Sequence, residues 1–338
     1  MKDGSDKYPI IVDAMGGDFA PLEIIRGALE AVSKNSVELR LIGDENRIRE
    51  AAYSGGLDIS DIEISPSYQE VRMDESPSDV LKNKKGSSIY LGSQIVGRGN
   101  GSAFLSAGNT GAVMACSLFN IKRIKGVFRP AIAAVIPLAD SRFVLIDAGA
   151  NADCKPVYLA QFALMGKVYS ENILGVKGPK VGIVNIGEEE KKGSEFTIEA
   201  HKILKDIKGL DFVGNIEGRE MFEGAADVVV TDGFTGNVIL KVLEGLAKMF
   251  FGEVRSALTS SPISKMAALI LKKPLRGIKN KFDYETYGGA QLLGLNAPVI
   301  ISHGSSKAKA VRNAIRVGQE SLQTDIVEKI NKEIKLYK

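Results

Sequence analysis

SAFLSAGNTGAVMACSLFNI, residues 102–121, is the stretch on which the fold turns. Ala103–Ser106 is a short apolar run, Gly108–Gly111 a polar glycine loop, and Ala112–Ile121 repeats apolar residues at helical spacing. A strand passing to a helix through such a loop leaves the first N–H groups of the helix unpaired, with partial positive charge beside them. The same order recurs with DAGAN at Asp147–Asn151, TDGFTGNV at Thr231–Val238 and HGSSK at His303–Lys307. In an open α/β sheet such loops gather at the carboxyl ends of strands. Four of them predict one crevice lined by backbone amides and suited to an anion such as phosphate.

The alternation of strand and helix continues along the chain on both sides of this stretch. Ile10–Asp13 precedes a helical Leu22–Val32, Leu39–Ile42 precedes Glu45–Ala52, and Phe143–Asp147 precedes Val157–Tyr169. Gly182–Asn185 pairs with Phe196–Leu204, Asp227–Thr231 with Asn237–Phe251, and Val299–Ser302 with one long helical segment, Lys309–Ile330. This rhythm predicts an α/β protein of three αβα layers around a largely parallel sheet. No repeat, low-complexity segment or clean linker divides residues 1–338, so a single interwoven unit is expected.

Composition narrows the function. With 44% hydrophobic and 25% charged residues the chain reads as globular, and a net charge of +3 gives no general nucleic-acid binder. The N-terminus carries acidic residues and no long apolar run before the first strand, so no leader is expected, and no apolar run approaches the ~18 residues that span a bilayer. Cys116 and Cys154 lie in no metal-binding spacing, which fits a reducing cytoplasm and argues against zinc. There is no GxxxxGK[ST], no GxGxxG after a strand and no GxSxG. His201, in EAHKILKDIK, reads as a solvated surface residue, and His303 is the one histidine in a candidate site loop. An enzyme so poor in acids, bases and nucleophiles suits a reaction whose substrates bring their own, such as phosphate attack on a thioester.

Ser256–Phe282 breaks the rhythm. Ile263, Met266, Ala267, Ile270 and Leu271 recur at helical spacing beside Lys265, Lys272, Lys273, Arg276, Lys279 and Lys281. A basic amphipathic projection of this kind fits an anionic membrane surface or the interface with a second subunit, and the pattern leaves both open.

IVDAMGGDFAP, SAGNTGAVM, RIKGVFRPA, DAGANADCKP, MGKVYS, NIGEEEKKG, GNIEGR, DVVVTDGFTGNV, YGGAQLLGL and HGSS follow in order from Ile11 to Ser306. Together they closely resemble the PlsX-type phosphate acyltransferases. The resemblance implies the fold of phosphotransacetylases and of isocitrate and isopropylmalate dehydrogenases. It implies conversion of fatty acyl–acyl carrier protein and phosphate to acyl phosphate, with no cofactor. It further implies a cytoplasmic homodimer at the inner membrane face, feeding a membrane glycerol-phosphate acyltransferase.

Carried over by position, the resemblance places Asp13, Gly16, Gly17 and Asp18 in the first loop of a phosphate and substrate site. Gly108, Asn109, Thr110 and Gly111 follow, although plain N-capping also accounts for Asn109 and Thr110. Asp147, Gly149, Asn151, Asp232, Thr235 and Gly236 continue the cradle, and His303, Ser305 and Ser306 close it. Lys191 or Lys192 is the implied catalytic cation, Lys192 preferred, with Asn237 as oxyanion donor. Met266, Ile270, Leu271, Lys272 and Lys273 are the expected membrane contacts. Where the family often carries arginines, DVLKNKKGSS at Asp79–Ser88 has Lys82, Lys84 and Lys85, which keep the charge without the guanidinium fork. Two rivals keep the fold and change the chemistry: a metal-dependent decarboxylating dehydrogenase, and an acyltransferase using coenzyme A thioesters. A third, a membrane-surface scaffold, has no chemistry.

Overall fold

The computed structural model describes residues 8–35, 37–281 and 286–337. Phe282 of the basic segment, the side chains of Ala267 and Lys279, and the N-terminal residues 1–7 lie outside that set. The first half runs β1 (Ile10–Asp13), α1 (Leu22–Asn35), β2 (Leu39–Gly43), α2 (Glu45–Ser54), β3 (Glu63–Pro66), α3 (Pro77–Asn83), α4 (Ser88–Gly97), β4 (Ala103–Ser106) and α5 (Thr110–Asn120). It continues with β5 (Ala131–Pro137), β6 (Arg142–Ile146), α6 (Pro156–Tyr169), β7 (Lys180–Val184), α7 (Glu195–Lys205), β8 (Asp211–Ile216) and β9 (Val228–Val230). Last come α8 (Gly233–Thr259), α9 (Pro262–Lys281), β10 (Ala290–Leu293), β11 (Val299–Ile301), α10 (Ala308–Gln323) and α11 (Ile326–Tyr337).

Side-chain alternation along the strands builds three layers. In β1, Ile10 and Val12 pack with Ile24, Ile25, Val311 and Ile315 of α1 and α10, while Ile11 faces Phe104 and Val113 on the other side. In β6, Val144 and Ile146 meet Leu159 and Phe162 of α6, while Phe143 and Leu145 join Val229 and the inner edge of α8. Helix starts follow local chemistry: Asp44, Ser76, Ser87, Asn109, Ser194 and Asp232 each accept a first-turn N–H.

The eleven strands among the described residues form one sheet, ordered β3-β2-β1-β4-β11-β10-β5-β6-β9-β7-β8. Each flank is parallel, and the centre is not. β11 to β10, β10 to β5 and β5 to β6 are all antiparallel. Three reversals leave β6, β9, β7 and β8 running opposite to β1, β2, β3, β4 and β11. Gln291 pairs with both Ile300 and Ala133, and Ala133 pairs with Ile146. The chain therefore leaves β11 and β6 from one level of the sheet in opposite directions, three strand spacings or about 14 Å apart. The single crevice expected for four converging loops is corrected here: the loops sort into two clusters. A short strand's direction is not written in its own residues, so the alternation could not show it.

Two further expectations change. The segment Lys309–Ile330 is two helices, broken at Asp325, whose φ is 51°. His201 is 4% exposed rather than solvated, because α7 turns it inward with Ala200 and Leu204 and sets it edge-on to Phe212.

The basic segment is the second arm of a helical hairpin. α8 has 27 residues, about 40 Å at 1.5 Å per residue. Ile239, Leu240 and Leu243 pack on the core, whereas Val242, Leu246, Met249 and Phe250 are exposed. On α9, Ile263, Met266, Leu269, Ile270 and Leu271 are exposed too, and the Lys281 ammonium reaches Asp140 at 3.2 Å. Among the described residues no helix is long and apolar enough to cross a membrane.

Candidate active site

The first cluster joins the ends of β1, β4 and β11. Asp13 is fully buried and accepts hydrogen bonds from the Ser106 hydroxyl at 2.6 Å and the Met15 N–H at 3.0 Å. Burial pushes its carboxyl above the ordinary range, and these donors oppose the shift. The Ser106 hydroxyl oxygen in turn accepts from the Gly108 N–H at 3.0 Å. A Cβ on Gly16 would lie 2.5 Å from the Gly108 nitrogen, so only glycine lets these two loops touch. Asp18 donates its N–H to the Gly304 carbonyl at 2.7 Å and keeps an exposed carboxylate.

Asn109 caps α5 by accepting the Ala112 N–H, while its amide nitrogen donates to the carbonyls of Arg72, Met73 and Glu75. It ties down the 72–75 loop beside the helix start. Lys84, just after α3, binds Glu75 of this loop and the Glu70 carbonyl before it, leaving Lys82 of α3 and Lys85 beyond its end as the exposed cations of this segment. Thr110 is exposed at the helix start, and Gly111 sits against Pro77. At β11, Ser305 contacts His303 Nδ1 through its hydroxyl at 2.8 Å and its N–H at 3.1 Å, and Ser306 is buried. The start of α10 already holds an anion: Glu23 accepts the Ala308 N–H at 3.0 Å, which draws its carboxyl below the usual range.

The second cluster lies at the carboxyl ends of β6, β9 and β7, which are neighbours in the sheet. Asp147 is fully buried and organises it. One carboxylate oxygen accepts the N–H groups of Ile132, Gly149 and Ala150, and the other accepts the N–H and side-chain amide of Asn151. Burial pushes this carboxyl up, against those donors. Asp147→Asn turns an NH2 toward one donor set and orphans it, so it is expected to cost about 2–4 kcal/mol, read as a lowered Tm. Asn151 also donates to the Pro130 carbonyl at 2.8 Å, and its own carbonyl accepts the Gly233 N–H at 2.8 Å. Asp232 caps α8 on Thr235, by N–H and hydroxyl alike. Gly236 presses against the Asp147 carbonyl, and Asn237 lies against Gly149, about 3.5 Å from where a Cβ would stand.

The loop after β7 adds the cations. Asn185 donates to the Lys192 carbonyl at 2.9 Å, the Lys192 N–H closes on the Glu189 carbonyl at 3.0 Å, and Asn215 donates to that same carbonyl at 2.8 Å. Gly193 has φ +97° and a Cβ there would overlap Asn185 and Thr197, so the turn requires glycine. Lys191, Lys192 and Asn237 are exposed, and among the described residues their side chains make no hydrogen bond or ion pair. By contrast, the side chains of Asp13, Asn109, Asp147, Asn151 and Asp232 are all committed to holding loops.

Sequence reasoning missed Asn185, Asn215 and His201. The helical spacing of His201 with Leu204 was the available signal for the last. Cys154 stands beside this cluster with its thiol donating to the Asn151 carbonyl at 3.4 Å. Burial and the nearby Asp147 and Asp232 push that thiol up to about 11, and burial pushes Cys116 up to about 12. Neither supplies a thiolate at neutral pH. Next to the cluster, a cavity of about 710 Å³ is lined by Lys122, Arg123, Lys125, Arg129, Phe128 and Tyr158.

A sheet with two parallel flanks joined through antiparallel central strands is a fold shared with phosphotransacetylases of known structure. A phosphotransacetylase from Streptococcus pyogenes superposes with a TM-score of 0.65 at 18% identity, covering 94% of each chain. The EutD phosphotransacetylase from Staphylococcus aureus gives 0.63 at 20% identity, covering 94% of this chain and 95% of that one. At such identities the likeness is one of fold. The family described as Fatty acid synthesis protein matches residues 9–329. A phosphate acyltransferase of Desulfitobacterium hafniense (strain DSM 10664 / DCB-2) is 46% identical over 326 residues, 96% of this chain and 97% of that relative. The chain belongs to this family of acyltransferases.

Proposed function

We propose that the protein transfers a fatty acyl group from acyl carrier protein to inorganic phosphate, releasing acyl phosphate and free carrier protein at an early step of phospholipid (phosphatidic acid) biosynthesis. The observation that carries this reading is the second cluster. It offers exposed cations and an exposed amide, Lys191, Lys192 and Asn237, where the buried Asp147 carboxylate and the capping Asp232 hold the surrounding backbone. Phosphate is nucleophilic at neutral pH, and a thiol of pKa about 8.5 leaves without strong protonation. The protein's task is then to place phosphate against the thioester carbonyl and to stabilise the tetrahedral oxyanion. Lys192, or Lys191 beside it, neutralises phosphate, and Asn237 donates to the oxyanion.

The first cluster, with Gly16, Gly17, Gly108, Thr110, Gly111, Ser305 and Ser306, contacts a more distant part of the same elongated donor. The basic cavity at Lys122–Arg129 suits an acidic carrier protein docked beside the reacting thioester.

A second reading has its own observation: the 2.8 Å contact between Ser305 and His303, where a hydroxyl meets an imidazole. It would give an acyl-serine intermediate. Acyl-labelled carrier protein and phosphate separate the two readings. Label found only in phosphate-dependent, protein-free product supports direct attack, and label retained on the denatured protein supports the acyl-serine.

The hairpin extends the proposal to partners. Its exposed apolar residues fit a homodimer contact and a peripheral position on the inner, anionic face of the cytoplasmic membrane, near the acyltransferase that uses acyl phosphate. Lys272→Glu with Lys273→Glu is expected to abolish sedimentation with anionic vesicles while turnover of soluble substrate stays within about twofold. Unchanged sedimentation would assign this surface to the partner subunit alone.

A further inference from the structure

We infer that His201, acting through Asn215, is a positioning residue for the lysine loop: it fixes the Glu189–Lys192 turn that carries the proposed catalytic cation. The inference deepens the function proposed above and rests on it.

The chain of contacts is short and its polarity is determined. The Glu189 carbonyl can only accept, so the Asn215 amide nitrogen, 2.8 Å away, must face it. The Asn215 amide oxygen therefore faces His201 Nδ1 at 2.9 Å, and that nitrogen must carry hydrogen. In neutral imidazole the lone pair is then left on Nε2. This is the ring nitrogen that is buried without a hydrogen-bond partner, 3.8 Å from a Glu190 carboxylate oxygen. Glu190 is itself held by Lys205 at 2.6 Å.

The ring has no freedom to turn. It is 4% exposed, edge-on to Phe212 with centroids 5.1 Å apart, and its Cε1 faces Gly214 of β8. A rigid donor on α7 thus orients an asparagine on β8, which pins the carbonyl on which the Lys192 N–H also closes. Asn185 grips the other end of the same turn at the Lys192 carbonyl. His201 touches no reacting atom in this arrangement. Its effect is on where the lysines stand, and displacement of a reacting group by about 1 Å can cost on the order of 10²-fold in rate.

The test compares His201→Leu, His201→Asn and Asn215→Asp. Asparagine places its amide nitrogen where Nδ1 stood and preserves the donor, whereas leucine fills space without one. Aspartate at 215 still accepts from His201 but sets an oxygen against the Glu189 carbonyl, so it probes the same link should His201→Leu fail to fold. Two quantities are read on the full chain: amide hydrogen exchange across residues 186–193, and kcat and KM for inorganic phosphate in acyl-phosphate formation.

The expected result is at least tenfold faster exchange in this loop for His201→Leu and Asn215→Asp, with kcat/KM for phosphate lowered at least tenfold. His201→Asn is expected within about threefold of wild type in both. Loop exchange unchanged in His201→Leu and Asn215→Asp, or His201→Asn as impaired as His201→Leu, overturns the inference. Lys192→Ala and Lys191→Ala run alongside. If neither loses activity, the lysine assignment fails, and exchange alone still decides whether His201 orders the loop.

Discussion

Lys192→Ala is expected to lower kcat/KM for phosphate by about 10²–10³-fold, the usual loss when one preorganised stabiliser of developing negative charge is removed. The effect is electrostatic. Phosphate brings two negative charges to a cluster that already contains Asp147 and Asp232, and the first cluster adds Asp13 and Asp18. Among the described residues of the β6, β9 and β7 loops, Lys155, Lys191 and Lys192 are exposed cations without an acidic partner, and the last two share the β7 loop, where Glu190 is paired with Lys205. Lys192 is preferred because both its N–H and its carbonyl are fixed, the first to Glu189 and the second by Asn185. Lys192→Arg keeps the charge but replaces a compact ammonium with a planar fork, so partial activity is expected. A deficit in kcat/KM larger for Lys191→Ala than for Lys192→Ala would exchange the two roles.

Gly236→Ala is expected to destabilise the protein by about 2–4 kcal/mol and to remove most activity. On propensity alone the change should help, because alanine in a helix is worth about 1 kcal/mol over glycine. The opposing effect wins. A methyl group here overlaps the Asp147 carbonyl oxygen and crowds Ala148. Backbone atoms cannot swing aside as a flexible side chain can, so the start of α8 must move away from the β6 loop. Overpacking of this kind costs about 1–3 kcal/mol and occasionally more. Because Asn237 follows directly, the same shift carries the proposed oxyanion donor away from Gly149. Thermal unfolding and turnover therefore fall together. A variant with wild-type Tm would mean the helix accommodates the methyl group.

Much of the architecture was legible because it is locally encoded. The strands Ile10–Asp13, Leu39–Ile42 and Ala103–Ser106 lie within one residue of their observed bounds, and Asn109 caps its helix as its residue type suggests. β5 (AIAAVIP) and β10 (AQLL) escaped notice. One is rich in alanine and the other is four residues long, and each becomes a strand by pairing with partners distant in sequence. These two strands reverse the sheet. Missing them made four loops look like one crevice when topology makes two clusters.

At the site, residue type indicated which loops matter but not what each side chain does there. Asp147 and Asn109 sit in the loops that the resemblance marks, and both are spent on backbone groups. EAHKILKDIK is polar on average and so suggests a solvated His201, whereas its helical position next to Ala200 and ahead of Leu204 turns it to the buried face. A composition average hides a face, and a helical wheel does not.

The decisive measurement is acyl-phosphate formation by the purified protein, from palmitoyl–acyl carrier protein and inorganic phosphate, with hydroxylamine trapping the product as hydroxamate. Hydroxamate is expected only with both phosphate and carrier-bound substrate, and is expected to fall about 10²–10³-fold in Lys192→Ala. Hydroxamate formed equally without phosphate, or none at all from a substrate shown to be intact, would contradict acyl transfer to phosphate.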